Sequence, residues 1–425
     1  MKSYLDMTAA ERKAEYEAVS ARYADLKAAG KSMDMSRGKP NYSQLDLSMP
    51  MLTLDPASVT KTAKGVDARN YGELAGVEEC RVLFAEVLGV ESKNIIVGGQ
   101  SSLTMMYDAV AKALLLGVYG GSKPWSQQGT LKFLCPVPGY DRHFAICQQF
   151  GIEMINIPMT AAGPDMAMVK QLVESDPQVK GIWCVPKYSN PSGFTYSDDT
   201  VRAFAALRPA ADDFRIFWDN AYIVHGFEEQ DDQLLNIFDA CREAGTEDMV
   251  YEFASTSKVT FAGSGVAVLA ASENNVKFLL KQMGIQVIGN DKINQLRHVQ
   301  FFKNADGVRA HMKKHAAIIK HKFACVLENL DAEIAPRKIA SWHTPKGGYF
   351  VSYEGLPGTA ARCVQLCKEA GLVLTGAGAP YPYGKDPEDK TIRIAPSYPD
   401  VPDLADAMEL FCVAARMAAL EALDK

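Results

Sequence analysis

One alternation constrains the fold more than any other feature. Between about residues 94 and 272, short β-rich runs (LKFLCPV, EMINIPM, VKGIWCVP, FRIFWDN, DMVYEFAS and GVAVLAAS) are separated mostly by segments of helical period such as PDMAMVKQLVESD. Apolar strands joined through helices make a mostly parallel sheet covered on both faces. Ligands then collect where the strands' carboxyl ends meet the following loops.

The pattern changes after this block. A helical stretch from about Ile293 to Leu330 leads to strand-like GGYFVSYEG, helix AARCVQLCKEAG, strand TIRIAPS and the final helix PDLADAMELFCVAARMAALEAL. The expected architecture is α/β: a three-layer αβα unit with a mostly parallel sheet, plus a smaller α+β domain. The expected boundaries are an N-terminal segment 1–48 that joins the small domain, a large domain 49–305 and a small C-terminal domain 306–425. No internal repeat or low-complexity linker separates them, so close packing is expected.

Composition narrows the partners. A chain of 425 residues with 48% apolar residues can bury a substantial core. Its 45 Lys and Arg against 51 Asp and Glu give a net charge of −6, which argues against a nucleic-acid or anionic-membrane surface and for small-molecule chemistry. Nine cysteines lie mostly within apolar runs, without CxxC pairs or metal-ligand spacing, and read as reduced core thiols rather than a metal site. The charged, helix-like N-terminus has no signal-peptide apolar core, and no 18-residue apolar run occurs, so a cytoplasmic location is expected.

Candidate chemistry gathers around STSKVTFAGSG, residues 255–265, where Lys258 sits among hydroxyl residues and glycines at the end of an apolar run. A lone lysine there is ordinarily a solvated charge. Three other strand ends change that reading: FWDNAY carries Asp219 and Tyr222, VPKYSNPSG carries Asn190, and CPVPGYDRHF carries Tyr140. Separately, Asp219 reads as a helix cap, Asn190 as a turn residue and Tyr140 as packing. Together, an amine, a carboxylate, an amide, a phenol and an aromatic face are what bound pyridoxal phosphate needs.

The roles follow from that cofactor. Lys258 can condense with its aldehyde, and Asp219 can keep the ring nitrogen protonated so that the ring accepts electrons. Tyr222 and Asn190 can hydrogen-bond the ring oxygen, and Tyr140 can stack on the ring. Ser255 and Ser257 can donate to the phosphate. A second phosphate element is the turn Gly98-Gly99-Gln100-Ser101-Ser102 before an amphipathic helix, where free amides favour an anion.

These motifs, with SRGKP, RNYGELAGVEECR, GGQSSL, PKGGYF and IRIAPS in the same order, resemble the fold-type I pyridoxal-phosphate aminotransferases (class I-like) over nearly the whole chain. The stretch TSKVTFAGSGV is most similar to a divergent bacterial aspartate aminotransferase branch. The resemblance implies that Lys258 carries the cofactor and shuttles the substrate's α-proton, with Asp219 and Tyr222 beside it. It implies cofactor contacts from Gly99, Gln100, Ser101, Tyr140, Asn190, Ser255 and Ser257. It also implies Tyr71 reaching the phosphate of a neighbouring subunit in a homodimer with shared sites, and Arg393 binding the α-carboxylate. Asn190, with Gly38 and Lys39 of the covering segment SRGKP, is expected to join Arg393 in binding the substrate. One departure stands out: the family's Ala-Gly-x-Arg arginine for the phosphate is absent, and Gly265 occupies its position.

The implied activity is aspartate:2-oxoglutarate transamination, with amino acids and 2-oxo acids as substrates. The same apparatus serves aminotransferases for other amino acids, β-lyases and decarboxylases. An amino-acid-sensing regulator would need a DNA-binding domain, and the roughly 40 residues before the match are too few and not basic enough. A dicarboxylic substrate needs a second cation: Lys39 or, second, Lys292 of IGNDKINQ.

Overall fold

The computed structural model describes residues 2–424. In chain order its strands are β1 (Met33–Met35), β2 (Ile95–Val97), β3 (Lys132–Val137), β4 (Glu153–Thr160), β5 (Gly163–Pro164), β6 (Val179–Cys184), β7 (Arg215–Asp219), β8 (Val250–Ser255), β9 (Ala267–Ala271), β10 (Ala340–Trp342), β11 (Val351–Gly355), β12 (Leu372–Leu374) and β13 (Thr391–Ile394). Eight of them form one sheet in the order β2-β9-β8-β7-β6-β3-β4-β5. The run from β8 to β4 is parallel throughout. Only β9, against β2 and β8, and the short β5, against β4, run antiparallel.

Successive side chains on a strand leave on opposite faces, and here both faces are apolar. In β7, Ile216 and Trp218 enter one core while Phe217 enters the other. Helices Glu78–Leu88, Met166–Ser175, Asp198–Ala205 and Ile237–Ala244 cover the first face; Ser102–Leu116, Asp141–Gln149 and Glu273–Gln286 cover the second. This is the three-layer αβα arrangement, with strands too apolar to face water on either side.

A separate apolar cluster joins the rest of the chain. Helices Ala9–Ala28, Ala305–Glu333, Ala360–Glu369 and Val401–Leu423 pack against the antiparallel sheet β10-β11-β13 and the parallel pair β1-β12. Polar contacts hold the N-terminal helix there: Glu15 accepts from the Tyr4 hydroxyl at 2.6 Å and from Arg416 at 2.8 Å.

The helical stretch expected as one element is two, Lys292–Phe302 and Ala305–Glu333. Lys303 takes φ 69°, and the Asn304 side chain caps the second helix by accepting from the Gly307 amide at 3.0 Å. Gly307 permits the sharp corner, since a Cβ there would lie 1.8 Å from the Phe302 carbonyl oxygen. All nine cysteines are free, eight buried and Cys325 partly so. Among the described residues no His, Cys, Asp and Glu grouping could hold a metal ion, and no helix is long and apolar enough to cross a membrane.

Candidate active site

A cavity of about 420 Å³ opens where the loops after β3, β6, β7 and β8 converge, lined from that side by Tyr140, Asn190, Asp219, Tyr222 and Lys258. Arg37, Gly38, Lys39, Phe350, Thr375 and Arg393 close it from the other side. The turn after β8 fixes Lys258: the amides of Val259 and Thr260 both donate to the Thr256 carbonyl, at 2.9 and 2.8 Å. Thr256 Oγ1 accepts from the Val266 amide at 2.9 Å across the loop. The Lys258 ammonium lies 5.0 Å from the centre of the Tyr222 ring. Burial lowers its pKa, and the opposing pull comes from Asp219.

Asp219 ends β7 on the same face as Phe217. Its Oδ2 lies 3.0 Å from His143 Nε2, and His143 stacks on Trp183 with ring centres 4.4 Å apart. Its Oδ1 is buried and has no hydrogen-bond partner among the described residues. Tyr140 stands edge-on to His143 at 4.9 Å, and burial pushes its hydroxyl up to about 12, with Asp219 adding to the rise. Tyr222 is buried and its hydroxyl is likewise raised by burial.

Arg393, on β13 of the smaller part, lines the same cavity as Lys258. Its Nη1 donates to Asp141 at 2.8 Å and to the Asn190 side-chain oxygen at 3.3 Å, and its Nη2 donates to Thr375 at 3.3 Å. The guanidinium lies 5.0 Å from the centre of the Phe350 ring. Its Nε is buried without a partner among the described residues. Gly38 fits against that same ring: a Cβ would come within 2.4 Å of Phe350 Cζ.

The phosphate candidates also meet. Ser255 Oγ donates to Ser257 Oγ at 3.1 Å, and Ser257 Oγ donates to the Gln100 carbonyl at 3.4 Å. Ser101 stands at the cap position of helix Ser102–Leu116, yet its side chain makes no cap hydrogen bond. The first-turn amides stay available to another acceptor. At Gly265, which stands in the place of the family's arginine, a Cβ would lie 3.1 Å from both the Gln100 carbonyl and Thr256 Oγ1, a tight fit in this loop.

Other candidates stand apart. Tyr71 is 79% exposed and lies outside the cavity lining of its own chain. Lys39 lines the cavity, but its ammonium is 3.8 Å from Asp34 and 3.7 Å from the centre of the Tyr398 ring. Lys292 is buried and donates to the Gly72 carbonyl at 3.3 Å. Sequence reading missed His143, Asp141, Arg37, Arg142 and His298. For His143 a signal existed: it follows Tyr140 by three residues, one helical turn, in PGYDRHF.

The model of the aspartate amino-transferase family matches residues 7–425. The chain belongs to this family. An aspartate aminotransferase of Corynebacterium glutamicum is 44% identical over 406 residues, 96% of this chain and 94% of that protein. The crystal structure of an aspartate transaminase from the same species superposes with a TM-score of 0.96 at 43% identity, covering 99% of both chains. An α-aminoadipate aminotransferase of Thermus thermophilus shares the fold, with a TM-score of 0.72, 20% identity and 92% and 93% of the two chains covered. Family membership therefore covers both the large sheet and the smaller α+β part, and with them every lining residue of the cavity.

Proposed function

We propose that the protein is a pyridoxal 5′-phosphate-dependent aspartate aminotransferase that passes the amino group to 2-oxoglutarate. The observation that carries this reading is one cavity holding the desolvated Lys258 amine, the unpartnered Asp219 Oδ1 and the unpartnered Arg393 Nε. A buried acceptor and a buried donor left unmet by the protein call for a ligand with a protonated nitrogen and a carboxylate.

The residues fit the cofactor. Bound there, pyridoxal phosphate supplies an aldehyde that takes up amines and a ring that withdraws electrons. Asp219 would hold the ring nitrogen's proton through Oδ1, with His143 fixing the carboxylate through Oδ2. Asn190 and Tyr222 would hold the ring oxygen and Tyr140 would cover the ring. Ser255, Ser257, the Gly99-Gln100 amides and Ser101 would receive the phosphate. Lys258, its pKa lowered by burial, is suited to carry the α-proton. Arg393 would bind the α-carboxylate through Nε and Nη2, since Nη1 already serves Asp141 and Asn190.

The distal carboxylate of aspartate needs a cation at the cavity mouth. Lys39 is one candidate; Arg37 and Arg142 also line the cavity and have no ion pair among the described residues. The segment 1–48, the unit 49–305 and the unit 306–425 would act as covering segment, cofactor domain and closing domain. A homodimer placing Tyr71 at the neighbouring site, and a cytoplasmic location, complete the reading. Its test is substrate choice: Lys39→Ala and Arg142→Ala should raise KM for aspartate about 10- to 100-fold, and that for alanine little, as a charged hydrogen bond of roughly 1.5–3 kcal/mol implies. Equal effects on both amino acids in both variants, or a wild type that prefers alanine, would reject the acidic substrate.

A further inference from the structure

A second and larger cavity, of about 970 Å³, lies on the other face of the large sheet. Trp218 and Glu252 are register partners on β7 and β8 and face it, whereas Phe217 and Phe253 face the opposite core. Its far wall is the loop 226–236 together with the helix Ala305–Glu333. Nothing in the proposed transamination uses this space.

Two buried side chains in its lining decide what it can hold. Asn220 and Glu252 are each 3% exposed, and Asn220 Nδ2 donates to Glu252 Oε1 at 2.8 Å. That bond uses the amide's donor end, while Asn220 Oδ1 remains buried without a partner among the described residues. Glu252 has no ion pair there either, and burial pushes its carboxyl up to about 7, against a smaller pull from Asn220. The floor of the cavity thus presents one unpaired amide oxygen and a carboxyl group with no cation beside it among the described residues. At the mouth the charges nearly balance: Lys187 pairs with Asp231 at 2.7 Å and Lys320 with Glu228 at 2.9 Å. Selection therefore falls to the floor.

We propose that this cavity binds a small organic cation, whose ammonium or guanidinium group donates to Asn220 Oδ1 and to the Glu252 carboxylate. A metal ion is a poorer occupant, because the floor supplies one carboxylate and one amide, and no cluster of three ligating side chains exists among the described residues. A guanidinium brings several donors in one plane and is weakly hydrated, which suits a deep, partly apolar site. Because Asn220 follows Asp219, and Glu252 lies on the strand that leads to Lys258, the occupant would touch both elements that carry the catalytic groups.

The experiment is a calorimetric titration of the holoenzyme with ethylguanidinium chloride. This probe has no carboxylate for Arg393 and no primary amine to compete at Lys258. Saturable binding of one probe per chain is expected, weakened at least 10-fold by Glu252→Gln and also by Ala317→Trp, which fills the cavity from the helix side. Arg393→Ala should leave it unchanged. No saturable binding would overturn the proposal and leave the acceptors to buried water. Equal binding in Glu252→Gln and Ala317→Trp, or loss of binding in Arg393→Ala, would overturn it as well.

Discussion

At the scale of single residues, Asp219 divides its two oxygens between two tasks. Oδ2 is fixed by His143, itself clamped on Trp183, so Oδ1 is held in place before any ligand arrives. Asp219→Asn keeps the shape and the His143 contact but removes the charge that, in the proposed function, would stabilise a protonated ring nitrogen. The variant should retain cofactor and lose about 10³-fold or more in kcat, the equivalent of roughly 4 kcal/mol. Steady-state turnover of the cofactor-loaded variant checks this, and near-wild-type turnover would reduce Asp219 to a structural role.

At the scale of elements, the Lys258 turn is held from behind by the helix Lys292–Phe302. His298 Nδ1 faces the Asn294 carbonyl at 2.8 Å, so it carries the proton; Nε2 must then accept, and it lies 3.1 Å from Thr256 Oγ1 and 2.9 Å from Thr260 Oγ1. Burial lowers this imidazole to about 4. Below its ordinary value the unfolded chain binds the proton and the folded chain resists it, so this contribution to stability is lost as pH falls from about 6.5 toward 4. His298→Ala should cost about 1–3 kcal/mol at pH 7.5, through the orphaned hydroxyls, and should show a smaller loss on acidification. Thermal unfolding at both pH values checks it; unchanged stability and an unchanged acid response would show that the clamp is idle.

The same elements show what was legible in the chain. The apolar strands and the polar residues at their ends were readable because both faces of the sheet are buried, which leaves long apolar runs such as FRIFW ending abruptly in Asp219. Three-residue strands β1 and β12 were not, since Met33–Met35 and Leu372–Leu374 are too short to show a period. The break at Lys303 hides in a continuous helical pattern and depends on one asparagine cap. Nor could sequence show His298 under the lysine turn, 40 residues earlier in the chain, or Glu252 facing a second cavity inside an apolar strand.

At the scale of the whole molecule, the single chain leaves apolar groups on its outside: Tyr71 is 79% exposed, Ile285 92%, Ile288 59% and Leu52 55%. Large exposed apolar groups of this kind suit an interface with a second copy. In the homodimer we propose, Tyr71→Phe should weaken cofactor retention while leaving the dimer intact in sedimentation, because only a hydroxyl is removed. Unchanged retention and activity would remove Tyr71 from the phosphate site. The central claim is that Lys258 performs amino transfer between aspartate and 2-oxoglutarate, and the most direct measurement is oxaloacetate formation from that substrate pair by wild type and Lys258→Ala, each supplied with pyridoxal phosphate. The account predicts oxaloacetate with matching glutamate from the wild type and none from a folded Lys258→Ala; oxaloacetate from Lys258→Ala at the wild-type rate, or none from the wild type, would contradict it.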